Sequence, residues 1–118
     1  MSLLDLNLQQ VADPYLTGSW RIESRSHSRT SSPDPLLAHA THLHLQDRTC
    51  HLDAPGAAHH GEWRIERDPL LSRPYLVITL AGQAIRALVT RLRRSLDGQY
   101  QALVLYFQSG LELSLVQP

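Results

Sequence analysis

The chain has 118 residues, of which 42% are apolar, enough for one domain with one core. Its 11 basic residues, all of them arginines, balance 11 acidic residues. This charge balance argues against a protein that binds nucleic acid or an anionic membrane mainly through electrostatics. A single cysteine, Cys50, excludes an internal disulfide bond.

No run of 18 apolar residues occurs, so no membrane-spanning helix is expected. The first residues show no signal peptide, which predicts a cytoplasmic protein unless a leader has been removed. Nothing in the sequence requires a cofactor.

Residues 2–16 predict a short N-terminal helix. Leu4 and Leu8 are spaced for one helical face, with Leu3 beside them. The dipeptide at 13–14 is Asp-Pro, which should end any helix there. This segment is therefore expected to lead into the first strand and to cover one end of the fold.

A hexapeptide that occurs twice predicts two similar strands. Gly18–Glu23 returns at Gly61–Glu66 with five of six residues identical. In an extended chain, each tryptophan (Trp20, Trp63) shares one face with the isoleucine two residues later. We expect the two indoles to plug the floor of a closed sheet, with the leading glycines making room for them or for a neighbouring backbone.

Residues 26–38 have no usable periodicity and predict a long loop between strands. The hairpin that follows is the clearest in the chain, because 41–46 and 49–53 both alternate strictly around Asp47-Arg48. A two-residue turn there would set Leu45 opposite Cys50 on an apolar face. The opposite, polar face would hold His42, His44, His51 and Asp53.

Three imidazoles and a carboxylate on one face form a donor set that suits zinc. The sequence therefore marks His42, His44, His51 and Asp53 as a candidate metal site. The alternative is that this polar face is simply the solvated face of an amphipathic hairpin. Cys50 falls on the apolar face and is expected to be inert.

The second half of the chain predicts a series of strands. Residues 75–81 are rich in β-branched residues, and 101–107 and 111–116 form a hairpin. Residues 84–96 fit either a helical stripe or a strand, and we favour the strand because eight strands would close a barrel. Asp97-Gly98 predicts a two-residue turn after it.

A hairpin tip at Ser109-Gly110 would set Tyr106 opposite Leu113 on the inward face. The opposite face, which is also apolar, would then point outward as a candidate interface. Either the N-terminal segment or a second subunit would cover it. That predicted interface consists of Leu103, Leu105 and Phe107.

The stretch Leu16-Thr-Gly-Ser-Trp20, the second G-x-W strand at 61–65 and the strand meander after it resemble the calycins, in particular small bacterial lipocalin-like domains. The resemblance covers residues 16–116 and implies an all-β, eight-stranded, antiparallel up-and-down barrel that encloses one small apolar ligand. Arg21 to Glu23 replace the small polar residues that bind biotin in avidins, so no ligand-binding residue is carried over.

These observations predict a single lipocalin-like domain, residues 1–118, that binds a small hydrophobic or amphipathic molecule without catalysis. No nucleophile–base motif is readable, and Arg86, Arg91, Arg93 and Arg94 suggest either a solvated face or an anion contact. The alternatives are a filled barrel that acts as an interaction module or homodimer, and thirdly a metal-site protein. The predicted ligand-lining residues are Trp20, Leu43, Leu45, Leu52, Trp63, Ile65, Leu76, Ile78, Val104, Tyr106 and Leu113.

Overall fold

The structure, a computed structural model, describes residues 2–27 and 35–117. Besides a 3₁₀ turn at Leu8–Gln10, it has two one-turn helices, α1 (Asp13–Leu16) and α2 (Pro35–Ala38). The strands are β1 (Leu3–Asp5), β2 (Gly18–His27), β3 (His42–Leu45), β4 (Thr49–Ala54), β5 (Ala57–Arg67), β6 (Pro74–Leu80), β7 (Gln83–Ser95), β8 (Gln101–Phe107) and β9 (Leu111–Gln117).

Strands β2 to β9 form a closed antiparallel barrel, which confirms the predicted fold class. Each of them pairs with the next along the chain, and β9 pairs back with β2. The ambiguous segment 84–96 is a strand, because β7 pairs with β6 on one side and β8 on the other. The short strand β1 adds to β7 beyond the end of β6, with Leu3 opposite Ser95.

In place of the predicted helix through Leu4 and Leu8, the segment before β2 holds strand β1, the 3₁₀ turn at Leu8–Gln10 and the one-turn helix α1. Residues 3–5 are extended rather than helical. Pro14 does not end a helix but sits in the first turn of α1, where a missing backbone N–H costs nothing. Likewise, β2 runs to His27 and α2 falls within the predicted loop 26–38, whose residues 28–34 lie outside the described part of the chain.

Both tryptophans are buried at one end of the barrel. The indole N–H of Trp20 donates to the carbonyl of Leu16 in α1 at 2.8 Å. The indole N–H of Trp63 donates to the carbonyl of Gln46, at the β3–β4 turn, at 2.6 Å. Because Gly18 pairs with Leu45, α1 and this turn are neighbours, and the two indoles together close this end.

The repeat's second glycine is required by the close approach of a neighbouring strand. A Cβ at Gly61 would lie 1.8 Å from the backbone oxygen of Thr79 on β6. This confirms the expectation that the glycine makes room for a neighbouring backbone. The restriction is steric, since Gly61 is not in the left-handed region.

The β8–β9 hairpin differs from the prediction by one residue. Its loop is Gln108 to Gly110, with the Gly110 N–H donating to the Phe107 carbonyl at 2.9 Å and a left-handed Gly110 (φ 93°). Leu105 therefore faces Leu113, and this slip exchanges the two faces of β8.

The predicted interface is consequently wrong. Leu103, Leu105 and Phe107 point into the core and are fully buried. Tyr106, predicted to point inward, is 43% exposed on the outer wall, and Val104 lies half-buried beside it. Both faces of β8 are apolar, so only the turn geometry could distinguish them.

The barrel interior is filled by its own side chains. Most of the predicted ligand-lining residues belong to one packed cluster and are at most 5% exposed, while Ile65 packs against its edge. The best-formed cavities among the described residues lie on the outer wall or at the barrel ends. The residues in the packed cluster are Trp20, Leu43, Leu45, Leu52, Trp63, Leu76, Ile78 and Leu113.

The β7–β8 loop is wider than the two-residue turn predicted at Asp97-Gly98. Ser95 and Tyr100 still bond through their backbones at 2.9 Å, so the loop holds four residues. The Asp97 carboxylate accepts hydrogen bonds from the Ser95 hydroxyl at 2.5 Å and from the Gln99 N–H at 3.0 Å. The Ser95 bond, then the Gln99 bond, lowers the pKa of the Asp97 carboxyl.

Replacing Gly61 tests the strand contact. Gly61→Ala should lower the free energy of unfolding by about 1–3 kcal/mol, because Cβ forces β5 and β6 apart. Gly56→Ala, at a turn glycine with φ 74° and open space around it, is the control and should cost about 1 kcal/mol through backbone strain alone. Urea unfolding measures both, and a Gly61→Ala protein as stable as wild type would contradict the contact.

The Asp97 turn predicts a pH dependence of stability. Because its pKa is lower in the folded state, Asp97 stabilises the fold above its unfolded pKa of about 3.9, and that stabilisation is lost as pH falls through the folded value. Asp97→Asn should therefore destabilise the protein at pH 7 and converge with wild type near pH 2. Denaturant midpoints between pH 2 and 7 measure this, with Asp47→Asn as the control; a constant difference would contradict it.

Candidate ligand cleft and imidazole network

The β3–β4 hairpin has the predicted register. His42 lies opposite Asp53 and His44 opposite His51, with Leu45 opposite Cys50 on the inner face. This register was predictable because strict alternation fixes the buried face and the two-residue turn between Gln46 and Thr49 fixes the pairing. The polar face is the outer wall of the barrel, and β5 adds His60 opposite His51.

Five side chains on this wall form one hydrogen-bonded chain, which we call the imidazole network: Ser19, His44, Asp53, His51 and His60. The Nδ1 atom of His44 lies 2.8 Å from Ser19 Oγ, and its Nε2 atom lies 2.9 Å from Asp53 Oδ2. The Nε2 atom of His51 lies 2.5 Å from Asp53 Oδ1. The Nδ1 atoms of His51 and His60 are 3.1 Å apart.

With all three imidazole rings neutral, the protons can be placed so that every hydrogen bond of the network has one donor and one acceptor. An ionised Asp53 only accepts, so Nε2 of His44 and Nε2 of His51 must each carry a proton. The remaining Nδ1 atom of His44 then accepts from the Ser19 hydroxyl. The Nδ1 atom of His51 accepts from the Nδ1–H of His60, whose Nε2 atom keeps its lone pair.

Asp53 is the centre of this network and is 37% exposed. The hydrogen bond from His44 has the largest effect and lowers the pKa of the Asp53 carboxyl. Desolvation opposes this effect, and the hydrogen bond from His51 lowers the pKa further. An open groove of about 470 Å³ lies beside the network, lined by His44, Gln46, Thr49, Cys50, His51, His60 and Gly61.

The structure brings together three of the four predicted metal ligands. His44, His51 and Asp53 share hydrogen bonds, whereas His42 stacks on His44 at 6.0 Å and directs Nδ1 to the Thr41 hydroxyl at 3.1 Å. In the part of the chain that the structure describes, no three donors surround a point that could hold a metal ion. The metal site stays a prediction.

A second feature of the outer wall was not predicted, and we call it the tyrosine cleft: Tyr75, Arg86, Leu88, Tyr106 and Gln108, around a volume of about 320 Å³. Tyr75 on β6 lies opposite Leu88 on β7, which lies opposite Tyr106 on β8. The leucine is therefore the half-buried floor between two phenol rings.

Arg86 forms one side of the tyrosine cleft. Its guanidinium carbon lies 3.8 Å from the centroid of the Tyr75 ring, a close cation–π contact. No carboxylate within the described ranges pairs with Arg86. Arg73, which lies 6.0 Å from the same ring, is paired with Asp68 at 3.4 Å.

The predicted arginine group does not form one patch. Arg91 pairs with Asp5 of β1 at 2.9 Å, and Arg94 lies over the Tyr15 ring at 5.4 Å. Arg93 lies opposite Ala102 on β8 and opposite Asp5 on β1. Arg86 alone of the four belongs to the cleft.

Cys50 lies on the buried inner face, as the hairpin pattern predicts. Its thiol is buried in the core, and burial, the largest influence, raises its pKa to about 11. A thiol that remains protonated at neutral pH is a poor nucleophile and a poor metal ligand.

No family model, curated protein or solved structure matches the chain. The closed eight-stranded barrel is consistent with the calycin-like fold that the sequence resembles. Among the described residues, no helix has the length and apolar character needed to cross a membrane.

Proposed function

We propose that this protein is a non-catalytic, calycin-like binding module with a filled barrel, and that it binds a small amphipathic anion in the tyrosine cleft. The observation that carries the proposal is the Arg86 guanidinium stacked on Tyr75 at 3.8 Å without a carboxylate partner among the described residues. The ligand class is the amphipathic one predicted from the sequence, but its site is the outer wall.

The packed interior favours an outer site. An enclosed ligand of the size expected from the sequence would have to displace large side chains such as Trp20 and Leu45, which are fully buried. Eight strands can enclose either their own side chains or one small ligand, and here the packed leucines and indoles occupy that volume. The cleft, in contrast, exposes aromatic and apolar surface without any rearrangement.

The cleft matches the chemistry of a single-ring carboxylate. Stacking uses the face of the Arg86 guanidinium and leaves its edge N–H groups free to donate to a carboxylate. Leu88 provides an apolar floor, and Tyr75 and Tyr106 provide aromatic walls. A volume of about 320 Å³ is at the lower end for ligand pockets, which suits one ring.

Neighbouring charges orient such a ligand. Glu66 lies opposite Tyr75 on β5, and Glu112 lies opposite Tyr106 on β9, so carboxylates flank both ends of the aromatic row. Arg64 pairs with Glu66 at 3.0 Å. A ligand carboxylate is therefore repelled from the ends of the row and attracted to Arg86, which disfavours ligands with several carboxylates.

A hydrolase is a weaker proposal, although Ser19, His44 and Asp53 are bonded in the order of a catalytic triad. Ser19 lies within strand β2, not on a sharp turn that frees adjacent N–H groups for an oxyanion hole. It also bonds Nδ1 of His44, whereas Asp53 occupies Nε2, the position from which serine hydrolases activate the nucleophile.

Benzoate and its neutral isostere benzamide test the proposal by ¹⁵N-correlation NMR titration. Benzoate should shift the backbone amides of Leu88 and Tyr106 with millimolar affinity, at least threefold tighter than benzamide, because only benzoate can pair with Arg86. Arg86→Gln should remove this preference for benzoate, and Tyr106→Leu should weaken both probes.

Arg91→Gln is the matched control, since it removes another outer-wall arginine of β7 and should leave both affinities unchanged. Equal binding of the two probes, or equal effects of the Arg86 and Arg91 variants, would contradict the proposal. Shifts at Leu88 and Tyr106 that depend on protein concentration without any probe would identify the cleft as a contact between copies instead.

A further inference from the structure

We infer that the imidazole network is the metal-free, hydrogen-bonded form of a site for a divalent transition metal, with His44 Nε2, His51 Nε2 and an Asp53 oxygen as its three protein ligands. This inference is independent of the tyrosine cleft, which lies on strands β6 to β8. It rests on the distances within the network and on the tautomers that they allow.

A second placement of the protons, in which every ring changes tautomer, keeps the contacts of both Nδ1 atoms and frees both Nε2 atoms. If His44 carries its proton on Nδ1, that atom donates to Ser19 Oγ, whose hydroxyl can rotate to accept. If His51 carries its proton on Nδ1, that atom donates to Nδ1 of His60, now protonated on Nε2. No proton is gained or lost, because all three imidazoles stay neutral.

This second arrangement presents a metal-binding donor set. Both Nε2 atoms then direct lone pairs toward the Asp53 carboxylate, which without a cation would be repulsive. A bound cation removes that repulsion. Two imidazoles and one carboxylate are a common ligand set for zinc and other divalent transition metals, with further positions left for water.

Each histidine would also have a partner on its other ring nitrogen. Ser19 Oγ lies 2.8 Å from Nδ1 of His44, and the His60 ring lies 3.1 Å from Nδ1 of His51. Such outer partners fix the tautomer of metal-binding histidines and strengthen metal affinity. His42 also has a hydroxyl partner on Nδ1, Thr41, but among the described contacts no hydrogen bond joins its Nε2 to Asp53.

Metal binding requires the three ligands to move apart from their hydrogen-bonded positions. Ligands of a tetrahedral zinc ion lie about 3.3 Å apart, whereas the two nitrogen–oxygen distances here are 2.9 and 2.5 Å. These two pairs therefore have to widen by about 0.4–0.8 Å, and the side chains that would move are 29–37% exposed.

The surroundings favour a cation. Asp53 carries the negative charge of the network, and Glu62 lies on the same face of β5 two residues after His60. The remaining lining of the adjacent groove, including Gln46 and Thr49, is neutral, and the Cys50 thiol is protonated. Arg21, opposite His42 on β2, is the nearest cation in the strand register.

Zinc titration of the untagged protein by calorimetry, together with ¹⁵N NMR of the imidazole nitrogens, tests this inference. One zinc ion should bind per chain at pH 7.5, and the Nε2 signals of His44 and His51 should change from protonated to metal-bound. His44→Gln and His51→Gln should each weaken zinc binding at least tenfold. Ser19→Ala should weaken it less, since it removes only an outer partner.

His42→Gln and His59→Gln are the controls, because His42 lies outside the network and His59 faces Leu52 rather than the groove. Both should leave zinc affinity unchanged. If wild type and all these variants bind zinc with the same affinity, the zinc is an adventitious ion only, and the inference is overturned. The absence of zinc binding at 100 µM, or unchanged His44 and His51 tautomers in the zinc-bound protein, would also overturn it.

Discussion

The packing of the barrel interior is the constraint on which the rest of the structure depends. Two indoles close one end, each held by a hydrogen bond to a backbone carbonyl, so their polar atoms are satisfied without water. Leucines of β3, β4 and β6 to β9 fill much of the remaining volume. Because these side chains occupy the interior, the cavities among the described residues lie on the outer wall and at the barrel ends.

The strand register determines which polar and aromatic side chains meet on the outer wall. On antiparallel strands, side chains directly opposite each other are about 5 Å apart, so a row across the sheet brings together residues far apart in the chain. One such row places Ser19, His44, His51 and His60 on four consecutive strands. Another places Tyr75, Leu88 and Tyr106 on three strands. Both candidate sites are products of this single geometric rule.

The sequence was informative wherever only one face of a strand is apolar. The β3–β4 hairpin was predicted to the residue, because a slip by one residue would bury His44 or expose Leu45. The two tryptophan strands were predicted for the same reason. The hexapeptide repeat also located Gly61, whose lack of a side chain admits the Thr79 backbone.

Prediction failed where the pattern offered two solutions. Both faces of β8 are apolar, so a three-residue loop ending in Gly110 decided which face became core, and the assumed tip reversed Leu105 and Tyr106. Whether the interior is hollow depends on packing in three dimensions, which no local pattern contains. The stacking of Arg86 on Tyr75 depends on the strand register and on the rotamer of the Arg86 side chain. The sequence spacing of the two residues determines neither.

The most direct test of a filled barrel is calorimetric titration with palmitate while tryptophan emission is recorded. Both indoles belong to the packed core, so a ligand entering the barrel has to change their surroundings. A filled interior predicts no shift in tryptophan emission, whether or not palmitate binds at the tyrosine cleft on the outer wall. One palmitate bound per chain, with a shift in tryptophan emission, would show that the interior opens to a ligand and would contradict the account.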